Sequence, residues 1–148
     1  MVSQAWTLRL LQGDAPPGQP RAGAAVRAGE ASRSTRKTLR CRACSCQISD
    51  ESQIFTPPDT ALLFVNRFGF VHEILTVRAA QNLLPWGAAT AIDTWFAGYT
   101  WQIVLCVSCR EHIGWHYRAE SPAVSSAESG LPASFYGLRR AALVISDG

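Results

Sequence analysis

Apolar residues in this chain fall in short runs separated by turn signals. "QIF" at 53–55 and "ALLFV" at 61–65 flank Pro57-Pro58-Asp59, a turn by composition. "NRFGF" at 66–70 predicts a second turn, with Gly69 free to take a positive φ. "VHEILTV" alternates. Val71, Glu73, Leu75 and Val77 share one face; His72, Ile74 and Thr76 share the other. That is strand texture, with Glu73 a blemish on the face that reads as apolar. "RAAQNLLPWG" predicts one helical turn closed by Pro85 and Gly87. "YTWQIVLC" and "EHIGWHY" predict two strands rich in aromatic and β-branched residues. "SPAVSSAESGLPA" predicts a polar loop, and "FYGLRRAALVI" a closing strand. Short strands between turns indicate an all-β domain.

Residues 1–38 have a different texture. They are rich in Ala, Gly, Pro, Ser and Arg and carry no period of 3.6 or 2 beyond the first dozen residues. A disordered basic leader is expected there, followed by one folded domain over 39–146. Within the leader, "WTLRLL" is a candidate strand or helix turn that docks on the body. Charge divides at the same place. Residues 1–40 hold seven basic and two acidic side chains, whereas the remainder holds seven basic and nine acidic. The mildly acidic body predicts no nucleic-acid footprint. No apolar run approaches the ~20 residues that span a bilayer. Arg9 interrupts the only apolar patch near the start, which makes a poor secretory signal. No membrane association and a cytoplasmic location are expected.

Five cysteines are an odd number for a disulfide framework. Cys41-Arg-Ala-Cys44 and Cys106-Val-Ser-Cys109 are two CxxC pairs, with 61 residues between them. A tight CxxC turn points both sulfurs one way, and two such turns complete a tetrahedral zinc shell with no open position. A closed shell argues for structure rather than catalysis. A redox CxxC would not need the second pair. The long interval predicts that one Zn²⁺ pins two distant β elements together. Cys46 is the spare, since x2 spacing fits a knuckle better than x1. The three histidines have no ligand spacing and receive no metal role.

Trp95, Trp101 and Trp115 cluster around the second pair. If Cys106–Cys109 turns a hairpin whose paired numbers sum to about 216, Trp101 lies across from Trp115. Tyr117 then shares their face. Gly98 permits a bend that returns Trp95 toward Trp101. The rings read either as core or as a cage for a cation or flat ring, and spacing alone leaves both open.

The pieces "CRAC", "NRFGFVHEILTV", "TWFAGYTWQIVLCVSCREHIGWHY" and "FYGLRRAAL" resemble the CULT domain, the thalidomide-binding domain of cereblon, over roughly residues 39–145. The chain looks like a stand-alone ligand-binding module, as in single-domain bacterial relatives. The resemblance implies a β-tent of two antiparallel sheets pinned by one four-cysteine zinc. It implies a non-enzymatic pocket walled by Trp95, Trp101 and Trp115 for a glutarimide, a uridine-like ring or a peptide ending in a cyclic imide. It also implies that the Asp93 carbonyl accepts from the imide N–H and that the Trp95 N–H meets an imide carbonyl. Asn66 falls at the rim and Tyr117 at the floor. Phe68 and Asp93 stand where animal cereblons have His, and Ala97 where the family turn has Pro. No ubiquitin-ligase partner is expected. Two alternatives remain. One is a Yippee-type protein-interaction domain. The other is an enzyme like methionine sulfoxide reductase B, which needs a late nucleophilic Cys, and no Cys follows Cys109.

Overall fold

A computed structural model describes residues 35–57, 62–125 and 129–148. The leader up to residue 34, including "WTLRLL", lies outside them, as do Pro58 and Asp59 of the first turn. The described chain forms nine strands: β1 (Lys37–Cys41), β2 (Gln47–Asp50), β3 (Leu63–Val65), β4 (Val71–Val77), β5 (Leu83–Thr90), β6 (Tyr99–Cys106), β7 (His112–Ala119), β8 (Ser134–Arg139) and β9 (Leu143–Asp147). Single 3₁₀ turns occupy Glu51–Gln53 and Arg140–Ala142. All strand pairs are antiparallel. They make a three-stranded sheet, β2-β1-β9, and a six-stranded sheet, β3-β4-β8-β7-β6-β5. The expected all-β class with two antiparallel sheets is what the chain adopts.

The two faces of the large sheet bury different chemistry. Cross-strand pairing aligns Thr76, Gly137, Trp115 and Ile103 in one row, and Phe135, Tyr117 and Trp101 in the next. Ile74, Phe96, Tyr99, Trp115, Tyr117 and Phe135 form an aromatic core on that side. The opposite face supplies Val77, Cys106 and Leu138, which pack against Leu39, Cys41, Ile48 and Leu143 of the small sheet and its flanks.

Four expectations are corrected. "NLLPWG" is strand, not a helical turn: β5 is an edge strand, where Pro85 removes no ladder bond that the sheet needs. In β4 the inward face at the start is His72, Ile74 and Thr76, so Glu73 sits harmlessly in solvent beside Val71. "FYGLRRAALVI" is not one strand. The 3₁₀ turn at Arg140–Ala142 splits it, sending β8 to the large sheet and β9 to the small one. "QIF", read above only as an apolar run, contributes a single bridge, Ile54 to Val77, and corrects nothing.

The β6–β7 register is the fourth. Trp101 pairs with Tyr117, and Trp115 with Ile103, a shift of two from the expected pairing. An even shift keeps every side chain on its face. Further on, Val104 pairs with Gly114 but Leu105 with His112, so Ile113 is an extra residue in β7. Such a bulge re-aims its neighbours. Ile113 enters the core between the sheets, and the His112 ring comes to 4.8 Å from that of Trp115. Gly114 makes the next pairing possible, because a Cβ there would lie 2.1 Å from the Gly137 carbonyl oxygen.

Candidate functional site: a zinc knot and an aromatic cleft

The two CxxC turns are built alike. In the first, the Ser45 N–H donates to the Cys41 carbonyl (2.8 Å), and in the second the Arg110 N–H donates to that of Cys106 (2.9 Å). The residue after each pair takes a positive φ, 63° at Ser45 and 67° at Arg110. Cys41 ends β1 and Cys106 ends β6, so the turns belong to different sheets. The four sulfurs nevertheless lie within 4.8 Å of one another. Cys41 and Cys109 are 3.6 Å apart, and Cys44 and Cys106 3.5 Å. A tetrahedron with Zn–S of about 2.3 Å needs sulfurs roughly 3.8 Å apart, so the donor set fits zinc.

The thiols also show why a cation belongs there. Burial works to raise Cys106, but the amides of Cys109 and Ser108 outweigh it and bring the thiol down to about 7. The Cys46 amide pulls Cys44 down, but burial and the three neighbouring thiols outweigh it and push Cys44 up to about 12. Four thiolates at this spacing need a positive charge among them. Cys46 is half-buried against the core and outside the ligand set. The site is a structural zinc site, one per chain, joining β1 of the small sheet to β6 of the large one.

On the aromatic face of the large sheet lies a cleft of about 730 Å³, within the ~300–1,000 Å³ typical of small-molecule sites. Trp95, Trp101, Trp115, Tyr117, Asn66 and Asp93 all line it. The sequence-predicted residues are therefore brought together, although they come from β6, β7 and two loops. Each indole is held differently. Phe64 stacks on Trp95 at 4.9 Å and 13°, and the Trp95 Nε1–H donates to the Val65 carbonyl at 3.3 Å. Trp115 meets Trp95 edge to face at 4.9 Å and is nearly buried. The Trp101 Nε1–H donates to the Ile92 carbonyl at 2.8 Å. Among the described residues Trp101 stacks on no other ring; it is half-buried against the aromatic core and lines the cleft.

Asn66 organises the rim. Its Oδ1 accepts from the Phe68 and Phe70 amides, both at 3.0 Å, which turns Nδ2 toward His72 Nε2 at 3.4 Å. Arg67 meets Asp93 across the mouth at 3.6 Å, with both side chains exposed. Asp93 sits at φ 55°, in the left-handed region.

His72 and His112 line the cleft as well, and sequence reasoning missed both. Both rings meet Trp115 edge-on, at 5.3 and 4.8 Å. Burial lowers both below the ordinary imidazole range, with Arg139 adding to it; His112 falls to about 4. The cleft therefore presents neutral imidazoles near pH 7. The bulge that swings His112 inward has no sequence signature. His72 was legible only through the parity of β4, which depends on which face is buried.

Comparison with known proteins agrees with this architecture. Residues 37–141 match the family model described as Yippee zinc-binding/DNA-binding /Mis18, centromere assembly. The chain is 37% identical over 112 residues to protein cereblon of Danio rerio, covering 72% of this chain and 24% of the relative. It is 36% identical over 112 residues to protein cereblon of Gallus gallus, covering 72% and 23%. Against protein cereblon of Drosophila willistoni it is 31% identical over 102 residues, covering 66% and 16%. It thus spans about a quarter or less of the length of these relatives. The crystal structure of the Mis18 "Yippee-like" domain superposes with a TM-score of 0.52 at 13% identity, covering 76% of this chain and 97% of that one, a likeness of fold. With the zinc knot and the whole six-stranded sheet inside the matched residues, the chain belongs to the Yippee/Mis18 family of zinc-binding domains and has the cereblons among its relatives.

Proposed function

We propose that this protein is a non-enzymatic binding module of the CULT type. Its cleft takes a flat, uncharged ring: a cyclic imide such as a glutarimide, a uracil-like ring, or a cyclic imide at the end of a peptide. The observation that carries this reading is the convergence of three indoles on one cleft, with Trp101 stacked on no other ring among the described residues. A purely structural aromatic cluster closes its faces on one another, as Tyr117 and Phe135 do here at 5.1 Å and 16°.

Two further features favour an imide. The Asp93 carbonyl and the Trp95 N–H make no hydrogen bond among the described residues, although they sit two residues apart in the same loop. An imide offers one N–H donor beside carbonyl acceptors, and this backbone pair complements it without a charged side chain. The neutral imidazoles at Trp115 suit an uncharged ring in the same way. The body, net acidic outside the first forty residues, is a poor match for DNA.

The test is a fluorescence titration of the zinc-loaded protein with glutarimide and with uridine. Saturable quenching is expected, and Trp101→Ala should abolish it while the domain stays folded. A flat titration would move a protein-docking reading to first place. That reading rests on the outer side of the β3–β4 hairpin, where Leu63, Val65, Phe70 and Val71 are all more than half exposed.

A further inference from the structure

The end of the domain that carries the zinc knot is charged differently from the rest. Both cysteine loops lie open to solvent, over residues 42–45 and 107–110. Four arginines surround them. Arg40 and Arg42 flank Cys41, Arg110 follows Cys109, and Arg140 opens the 3₁₀ turn on which Arg42 is anchored. The Arg42 Nε–H donates to the Ala141 carbonyl at 2.9 Å and its Nη2–H to that of Leu143 at 3.0 Å. With the Cys41 and Cys109 sulfurs 3.6 Å apart, the four belong to one end of the fold. Two ion pairs occur among the described residues, Arg67 with Asp93 and Arg139 with Glu111, so none of these four arginines has a carboxylate partner. The other end of β1 carries acids instead: Asp147 pairs with Lys37, and Asp50 with Thr38. Cations beside a thiolate metal site ordinarily serve it by donating to the sulfurs. Here Arg40 and Arg42 donate to carbonyls, Arg40 Nη1 to that of Ser45 at 3.1 Å, and the side chains of Arg110 and Arg140 donate to nothing among the described residues. Two exposed valines stand among the cations, Val107 at 46% and Val144, across from Arg40, at 40%.

We propose that this end is a second docking surface, for an acidic segment of a partner protein: a short run of Asp or Glu interrupted by an apolar side chain. The carboxylates engage Arg42, Arg110 and Arg140, and the apolar side chain rests on Val107. None of these residues lines the cleft, so the surface stands or falls independently of ring binding. A guanidinium already held by two carbonyls keeps its fork in place, and little side-chain freedom is lost when a carboxylate arrives. The valines favour a protein over a nucleic acid, because a phosphate track offers them nothing apolar. Asp50 and Asp147, at the far end of the same sheet, also repel a phosphate track longer than the patch.

Amide NMR of the nitrogen-15-labelled, zinc-loaded full chain, titrated with the peptide EELEE, locates the contact. Saturable shifts are expected at residues 42–45, 107–110 and 140–144, with Trp95, Trp101 and Trp115 unmoved. Arg110→Glu and Arg118→Glu change the net charge equally, and neither side chain makes a hydrogen bond or ion pair among the described residues. Arg110→Glu should weaken the peptide by about fivefold or more, and Arg118→Glu by less than about twofold. The peptide EESEE, equal in charge but without the apolar residue, should bind about two- to threefold more weakly than EELEE. Cysteine loops that do not shift, as when the basic residues 1–40 hold the peptide instead, overturn the proposal. Equal weakening by the two reversals does so too, since it marks attraction to net charge alone. EESEE bound as tightly as EELEE, or a thymidine oligonucleotide that displaces the peptide, overturns the assignment to an acidic protein segment.

Discussion

The zinc knot and the aromatic cleft both gather side chains from distant stretches of the chain, and they reach opposite ends. At the knot, four sulfurs from two matched turns converge on one point, within 4.8 Å of one another. Every donor is consumed, and nothing is left for a substrate. At the cleft, three indoles, a phenol and two imidazoles converge as well, but around a volume of about 730 Å³. There a loop carbonyl and N–H remain unpaired among the described residues, and Trp101 stacks on no other ring. A centre that satisfies all its groups holds the fold. A centre that keeps some unsatisfied is, on the proposed reading, prepared for a molecule from outside.

The sharpest way to break this contrast is to open the closed end. Cys106→Ser should cost the domain its cooperative thermal transition in circular dichroism, because structural zinc contributes on the order of 10 kcal/mol of apparent folding energy. A variant that melts like wild type would remove zinc from its structural role. Next in size is Gly114→Ala. Its new Cβ meets backbone, the Gly137 carbonyl oxygen at 2.1 Å, so β7 and β8 must part. A loss of about 3 kcal/mol is expected in urea unfolding. A loss below about 1 kcal/mol would mean that the strands separate easily.

A smaller effect should come from pH, and it sharpens the comparison because it belongs to the open end. Burial, with help from Arg139, sets His112 down at about 4, below the unfolded value near 6.5. The neutral ring is therefore the folded form. Between these values the unfolded chain takes up a proton that the folded one refuses, so stability falls as pH drops from about 6.5 to about 4. His112→Gln should flatten that part of the stability profile relative to wild type. Parallel profiles would show that His112 titrates alike in both states. The smallest effect is expected from Cys46→Ser, within about 1 kcal/mol, since Cys46 lies beside the knot but outside it. Damage equal to that of Cys106→Ser would reassign the ligands.

The zinc ligands were legible because CxxC is a local pattern whose chemistry needs four donors and little else. Strand texture was legible where period-2 runs were long, as in β6 and β7. β5 was not, because Pro85 and Gly87 punctuate it and only its place at a sheet edge excuses them. The split between β8 and β9 was hidden for a similar reason: "RRAA" carries no breaker, and the turn exists because the two halves answer to different sheets.

By itself, then, the order of residues determined the all-β class, the donor set of the metal and the identity of the three indoles, all properties of short windows. The tertiary structure decided the rest. Register set Trp101 against Tyr117, and a bulge at Ile113 delivered His112 to the cleft. These follow from pairing energies summed over whole strands and from close approaches such as that of Gly114 to Gly137, which are contacts between residues far apart in sequence.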